Sequence, residues 1–399
     1  MQHVFIVGAK GFVYGGYETF LDKLTECHQH NDRLKYHIAC KANGPGMTDE
    51  EKLKGAQIVS EQEYIYHNAH CFKVRSLELG SAQAILYDIK ALWYCVNYIR
   101  KNKISHPIVY MLSSRVGPVM GYFARKIHRF GGKYCNNPDG REALRQKYTG
   151  PVRKYWAISE RKMVKHSDLV ICDSINIEKY IQNEYRKFQP KTAYIAYGAD
   201  TEPSDLADDA PEFTEWMKKF KLTKYNYYIS VGRFVPENNF ETMIREFMNS
   251  KSRRDFVVIA TEDKRFLSVL DQKLHFSQDK RIKLVGTVYN QPLLKKIREN
   301  AYGYLHGHEV GGTNPSLLEA LGSTNLNLLY DVGFNREVGR DTALYWIKKE
   351  GDLSKLIDRA DAMRADEVER KGAEAKEIIR REYNWKFISD RYAEVFMNM

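Results

Sequence analysis

Residues 304–322 read YLHGHEVGGTNPSLLEALG, and the reading of this stretch decides the rest. Tyr304 and Leu305 end an apolar run. Gly311 and Gly312 open backbone angles closed to other residues, and Asn314 or Thr313 before Pro315 is an N-cap and first-turn signal. Ser316 to Leu321 then place apolar residues at helical spacing, with Gly322 as the stop. A helix start behind two glycines turns unpaired N–H groups toward whatever lies in front of it, and phosphate is the usual occupant. Glu319, one turn in, is placed to accept hydrogen bonds from a sugar hydroxyl. An ordinary loop-to-helix turn with a solvated glutamate has the same local pattern, so context decides.

That context is an alternation of short apolar runs with amphipathic stretches. VFIVG (4–8) precedes GYETFLDKL (16–24), and SDLVICDS (167–174) precedes INIEKYIQNEY (175–185). Strand followed by helix, repeated, predicts parallel sheets with covering helices. The pattern restarts near residue 198. Residues 201–215 are acidic and proline-bearing and read as an interdomain linker, after which YNYYISVGRF (225–234) opens a fresh strand. DFVVIAT, RIKLVGTVY, NAYGYLHG and NLNLLYD continue the second half. A chain of 399 residues is long for one core, so two doubly wound halves are expected, with the loops after Val7, Val231, Val285 and His306 facing one cleft.

Composition excludes several classes. Apolar residues make up 43%, mean hydropathy is −0.55, and no apolar run approaches the length of a membrane span. MQHVFIVGAK lacks a basic region before its apolar run and reads as a first strand rather than a secretory signal, which predicts a cytoplasmic protein. The six cysteines, at 27, 40, 71, 95, 135 and 172, are dispersed, which fits reduced thiols and no metal site. Gly8, Lys10 and Gly11 do not supply the dinucleotide fingerprint, and no P-loop motif is present. Net charge is +11, and residues 121–165 hold twelve Lys or Arg against three acidic residues. Such a patch suits nucleic acid, an anionic bilayer or a diphosphate.

GGYE (15–18), NNPDGREALRQKY (136–148), IAYGAD (195–200), VGRFVPENN (231–239), GTVYNQPLL (286–294) and GHEVGGTNPSLLEALGS (307–323) occur in an order that resembles the streptococcal-type rhamnosyltransferases. These are retaining glycosyltransferases of family 4, and the resemblance runs from about residue 1 to Trp385. It implies the α/β GT-B fold, two Rossmann-like doubly wound domains facing across a cleft. Residues 1–198, with a C-terminal helix at about 384–399, would form the acceptor-binding domain, and residues 199–383 the nucleotide-sugar domain. It also implies transfer of L-rhamnose from dTDP-β-L-rhamnose in a β-1,4 linkage to an undecaprenyl-diphosphate-linked sugar, during cell-wall or capsular polysaccharide assembly. No cofactor and no metal are implied, and no nucleic acid partner.

Residue by residue, Arg233 matches the arginine that grips the donor diphosphate, and Asn238 stands where many relatives carry a second phosphate-binding lysine. Glu319 matches the second of two family glutamates. The first falls on Gly311, so that Gly312, Thr313 and Asn314 are left to hold the β-phosphate or the sugar through backbone N–H groups. Gly15, Gly16 and Glu18 resemble the loop that closes over donor phosphates and acceptor. Tyr289 and Asn290 sit where the nucleobase stacks or hydrogen-bonds. Asp139 falls at the reacting centre, and Glu142, Arg145 and Lys147 are placed to meet the lipid diphosphate. Under this reading the basic segment docks on the anionic inner face of the plasma membrane, with Tyr122, Phe123, Ile127 and Phe130 forming an interfacial helix. A buried amphipathic helix with a basic outer face has the same sequence pattern. A GT-B enzyme with another donor, a nucleotide-sugar epimerase of the same fold and a basic nucleic-acid-binding protein are the alternatives. His306 and His308 receive no role.

Overall fold

The computed structural model describes residues 1–12, 15–145, 148–261 and 263–399, with the backbone alone of Ser81. The chain forms two compact units, Met1–Gly198 with Trp385–Met399, and Ala199–Asn384.

Among the described residues of the first unit, nine strands form one sheet. They are β1 (Gln2–Val7), β2 (Leu34–Lys41), β3 (Gln57–Ser60), β4 (Glu63–Tyr66), β5 (Ala69–Val74), β6 (Ile108–Leu112), β7 (Lys133–Asn137), β8 (Leu169–Cys172) and β9 (Thr192–Tyr194). Their spatial order is β3-β4-β5-β2-β1-β6-β7-β8-β9. The apolar runs VFIV and IVYML become β1 and β6, central strands buried on both faces, as continuous apolar runs in a parallel sheet should be. Phe5, Val7, Val109 and Met111 pack against Ala91, Leu92 and Cys95 of the helix Gln83–Lys101 and Met120, Phe123 and Ile127 of the helix Gly117–His128. Trp385–Asn398 lies on the other face, where Tyr392 and Phe396 meet Phe20, Tyr36 and Tyr110.

The second unit is a parallel sheet of β10 (Tyr227–Gly232), β11 (Asp255–Ala260), β12 (Ile282–Gly286), β13 (Gly303–His306), β14 (Asn327–Tyr330) and β15 (Leu344–Trp346), in the order β12-β11-β10-β13-β14-β15. Its core joins Tyr228, Phe256, Leu305 and Leu328 to Phe240, Ile244 and Phe247 of the helix Phe240–Asn249 and to Leu353 and Ile357 of the helix Asp352–Asp361. The chain passes between the units at Gly198–Ala199 and again at Asn384–Trp385.

Three local expectations are corrected. Residues 201–215 are not a free linker: Ser204 N donates to Glu299 at 2.7 Å, Lys296 pairs with Asp208 at 2.6 Å, and the helix Pro211–Phe220 buries Phe213 and Met217. Prolines and acids mark this stretch in sequence, but Phe213 and Met217, one helical turn apart, carry the packing signal. The helix Gly117–His128 is not interfacial along its apolar side, because Phe123 and Ile127 belong to the core, at 1% and 0% exposure. Finally, β3 and β4 form an antiparallel edge, β3 to β4 and β4 to β5, that breaks the strand–helix alternation.

On the first sheet three histidines make a hydrogen-bonded row, with His3 Nδ1 2.9 Å from His37 Nε2 and His37 Nδ1 2.9 Å from His70 Nδ1. A single proton fits in each gap, and three neutral rings supply it. Burial lowers all three pKa values, that of His37 to about 2. Folded values below the unfolded value near 6.5 mean that the unfolded chain takes up protons first as pH falls. The stabilising contribution is therefore complete above about pH 6.5 and is lost as pH falls below it, for His37 at up to about 1.4 kcal/mol per pH unit. Urea midpoints at pH 7 and pH 5 should differ more for the native chain than for His37→Gln; equal differences would refute the account.

Candidate functional site

In a parallel sheet every strand ends on the same edge, and where the strand order reverses, the loops leave in opposite directions and open a crevice. In the second unit the reversal lies between β10 and β13, so the loops beginning at Arg233 and Gly307 flank it. Both loops carry residues singled out by sequence.

The two loops are tied together by side chains. Asn239, at φ 55°, donates from Nδ2 to Gly307 O at 2.6 Å and to Glu309 Oε2 at 3.2 Å. Glu309 N donates to Glu237 O at 3.0 Å. Asn238 donates from Nδ2 to Arg233 O at 2.8 Å and accepts at Oδ1 from His308 Nδ1 at 2.7 Å. Those two bonds set the amide orientation and the His308 tautomer together. Asn238 thus ties the Arg233 turn to the glycine loop, and one of its N–H groups remains available. Close backbone approach is part of the same joint, because a Cβ on Gly307 would lie 2.4 Å from Asn238 O.

Against this fixed frame the Arg233 side chain is exposed, and among the described residues its guanidinium takes part in no recorded hydrogen bond or ion pair. Five donors in a rigid fork at a strand end, with no internal acceptor, form a site for an external anion. Across the reversal, Gly311 sits at φ 145° with His308 Nε2 3.0 Å from where its Cβ would be. Gly312 and Thr313 are buried, and Asn314 caps the helix Pro315–Leu321 by accepting from Ser316 N at 2.9 Å. Ser316 Oγ and Tyr304 OH meet at 3.1 Å, and both reach Val231 O, joining that helix to the end of β10.

Glu319, on the same helix, is paired at 2.6 Å with Arg298, whose side chain is only 4% exposed. Arg298 escaped the sequence reading, since one arginine in an amphipathic helix rich in lysine carries no local mark. Glu309 is held by Asn239 and by a short ion pair with Lys348. His306 is buried, and burial drives its pKa well below the ordinary value, which suits a neutral ring bonded to Tyr304. Beyond β12, Tyr289 is 68% exposed, and Asn290 caps the helix Gln291–Glu299 by accepting from Leu293 N at 3.0 Å. β12 lies two strands from β10, about 10 Å at ordinary strand spacing.

The first unit has its own reversal, between β1 and β6. Gly8, at φ 115°, leaves 2.1 Å between a would-be Cβ and Leu112 O, so the loop after β1 runs hard against the end of β6. Glu18 is turned back into that loop, accepting from Lys10 N at 3.0 Å with 8% exposure, and Gly15 is where its carboxylate passes. Gly16 begins the helix Gly16–Cys27. Asp139, at φ 59°, follows β7 and is half-buried, its N–H donating to Asn137 Oδ1 at 2.7 Å. Sequence reading missed three neighbours. Burial and the negative charges of Asp139 and Asp173 raise the Tyr17 hydroxyl pKa, while Arg115 opposes them, so these four groups share one field. Arg115 also pairs with the fully buried Asp88 at 3.3 Å. Asp88 is held up to about 6 by burial, against the pull of Arg115. Glu142 and Arg145 pair with each other. Lys147 lies outside the described residues.

No group of three or more His, Cys, Asp or Glu among the described residues is arranged to hold a metal ion, and no described helix is long and apolar enough to cross a membrane. Gly307→Ala should cost about 1–3 kcal/mol, since the Asn238 carbonyl cannot recede without breaking the joint. Chemical denaturation checks this, and an unchanged midpoint would show that the two loops are not held as described.

Solved structures similar to this chain are sucrose-phosphate synthase from Thermosynechococcus elongatus (TM-score 0.76, 13% identity, covering 100% of this chain and 99% of that one) and Anabaena HepE in complex with UDP (0.72, 12%, 100% and 100%). A glycosyltransferase from Rickettsia africae is similar too (0.72, 12%, 100% and 98%). The fold is therefore that of the GT-B glycosyltransferases. No curated protein matches the sequence. Residues 1–200 match the family model described as a domain of unknown function, DUF1972.

Proposed function

The chain belongs to the DUF1972 family, and from that membership and its GT-B fold we propose that it is a glycosyltransferase that uses a nucleotide-diphosphate sugar. One observation carries the reading: an unpaired guanidinium, Arg233, stands at the strand-order reversal opposite the glycine loop 311–314. Diphosphate gains negative charge as its bond to the sugar breaks. A guanidinium fork at one strand end and backbone N–H groups in the loop across the reversal stabilise that charge where it develops. The acceptor hydroxyl oxygen forms the new bond to the anomeric carbon, the electron pair of the broken bond stays on the departing phosphate, and that phosphate takes the hydroxyl proton. Glu319 receives a sugar hydroxyl of the nucleotide, and Tyr289, exposed about 10 Å along the sheet edge, offers a ring to the base. Sugar-nucleotide donors fit the second unit. In the first unit, Asp139 with Tyr17 and Asp173 supplies polar groups for an acceptor, and Glu142 and Arg145 follow on the next turn.

The resemblance in the loops makes the specific reading dTDP-β-L-rhamnose as donor and an undecaprenyl-diphosphate sugar as acceptor, joined β-1,4. A lipid-borne acceptor requires the enzyme at a bilayer surface, and the first unit has a face of that kind. Arg125 on the helix Gly117–His128, Arg129 just after it, and Arg153, Lys154, Arg161 and Lys162 on the helix Gly150–His166, are exposed. The acidic residue of these two helices, Glu160, is buried under Tyr180 and Tyr185. The exposed apolar residues are Trp93, Tyr122, Val152 and Ile158, with Lys126 over the rings of Trp93 and Tyr122. Phe123 and Ile127, in the core, take no part.

Incubation with dTDP-rhamnose or UDP-glucose and a lipid-diphosphate sugar should release nucleotide only when the acceptor is present; release without acceptor dependence would exclude transfer. Arg233→Ala should weaken dTDP binding by about ten- to a hundred-fold, the size of a charge-assisted hydrogen-bond pair. Calorimetry reads this, and unchanged affinity would remove the donor-site assignment. Vesicle binding should rise with anionic lipid and fall with salt, by about 1 kcal/mol per basic residue engaged. Equal binding to neutral vesicles would count against the surface.

A further inference from the structure

Arg298 is buried and paired in the second unit, at a cost that the packing alone does not explain. It lies near the end of the helix Gln291–Glu299, 3% exposed, and its Nη2 is 2.6 Å from Glu319 Oε2, while its Nε has no hydrogen-bond partner among the described residues. A buried guanidinium needs a carboxylate partner, and Glu319 supplies it. Glu319 is different: its side chain is 35% exposed, and Oε2 is the oxygen engaged.

Helical side chains tilt toward the N-terminal end of their helix. Both helices here follow strand ends, β12 through Asn290 and β13 through Asn314, so Arg298 and Glu319 each lean toward the edge that carries Arg233. Glu319 is thereby gripped from the protein side and open on the other. Lysine could neutralise the carboxylate but would not hold its plane, because a rigid fork restricts orientation where a single ammonium does not.

We propose that Arg298 is a positioning residue that clamps one oxygen of Glu319, so that the other is presented and correctly aimed to a ribose or deoxyribose hydroxyl of the nucleotide. This rests on the reading of Glu319 as the donor-binding carboxylate. The inference goes beyond that reading in making nucleoside-hydroxyl recognition depend on a residue that never touches the ligand. A purely structural tie between two helices would alter stability and leave hydroxyl recognition intact.

The test is calorimetric binding of dTDP and UDP, each beside its 3′-deoxy counterpart, to the full chain and to Arg298→Met, Arg298→Lys and Glu319→Gln, with thermal unfolding of each variant. The native chain should prefer the hydroxyl-bearing probe by about ten-fold, the value of one hydrogen bond to a charged group. Arg298→Met and Glu319→Gln should abolish that preference alike, and Arg298→Lys should retain a fraction of it. If Arg298→Met does not fold, Arg298→Lys decides, and full native preference in it overturns the proposal. A folded Arg298→Met with native preference, beside a Glu319→Gln that has lost it, overturns the proposal alone. Native preference in Glu319→Gln, or no preference in the native chain, overturns the reading of Glu319 and this proposal with it. Absence of binding by either probe pair to the native chain overturns the donor site as a whole.

Discussion

Parallel pairing of backbone strands is the constraint on which the rest of this structure depends. It obliges each strand to be followed by a helix that returns the chain, and it collects all strand-end loops at one edge of the sheet. Each unit reverses its strand order once in the parallel run, at β1 and β6 in the first and at β10 and β13 in the second. Residues far apart in sequence, such as Arg233 and Gly311, flank one crevice for that reason. No side-chain contact brings them there. Side chains then fix the detail, and Asn238 and Asn239 do so by bonding the two loops to each other.

The polar groups of the two units divide into those that hold the loops and those left to act. Glu18, Glu309 and Asn238 are engaged largely by their own backbone and neighbours, whereas the Arg233 guanidinium has no partner among the described residues. This division explains how a glycine-rich edge keeps its form: backbone without side chains of its own to pack is braced by neighbouring amides and carboxylates. A cation left unbraced in such a setting is the group most available to a ligand, and a diphosphate is the ligand its charge and fork geometry suit.

Much of the fold was legible before any coordinates. VFIVG, SDLVICDS and YNYYISVGRF are strands because continuous apolar runs of that length can only be buried from both faces, and the helices after them show their apolar spacing plainly. Asn314 and Pro315 begin a helix and Gly322 ends it, as local chemistry required. Three places were opaque. The short strands β3 and β4 carry their pairing in an antiparallel register that local pattern does not mark, the acidic stretch 201–215 hides the start of a packed helix, and the basic helix Gly117–His128 conceals the core residues Met120, Phe123 and Ile127 behind its charge.

Sequence alone determined the apolar strands and the amphipathic helices that follow them, where the glycine turns fall and which arginine stands at a strand end, because each of these follows from the neighbours of a residue along the chain. Tertiary structure decided the partners. That Arg298 meets Glu319, that Tyr17 shares a field with Asp139 and Asp173, and that His3, His37 and His70 form a row all depend on which strands lie side by side. The physical reason is that a buried charge or ring takes its energy from whatever surrounds it in space, and strand order, not sequence order, selects those surroundings.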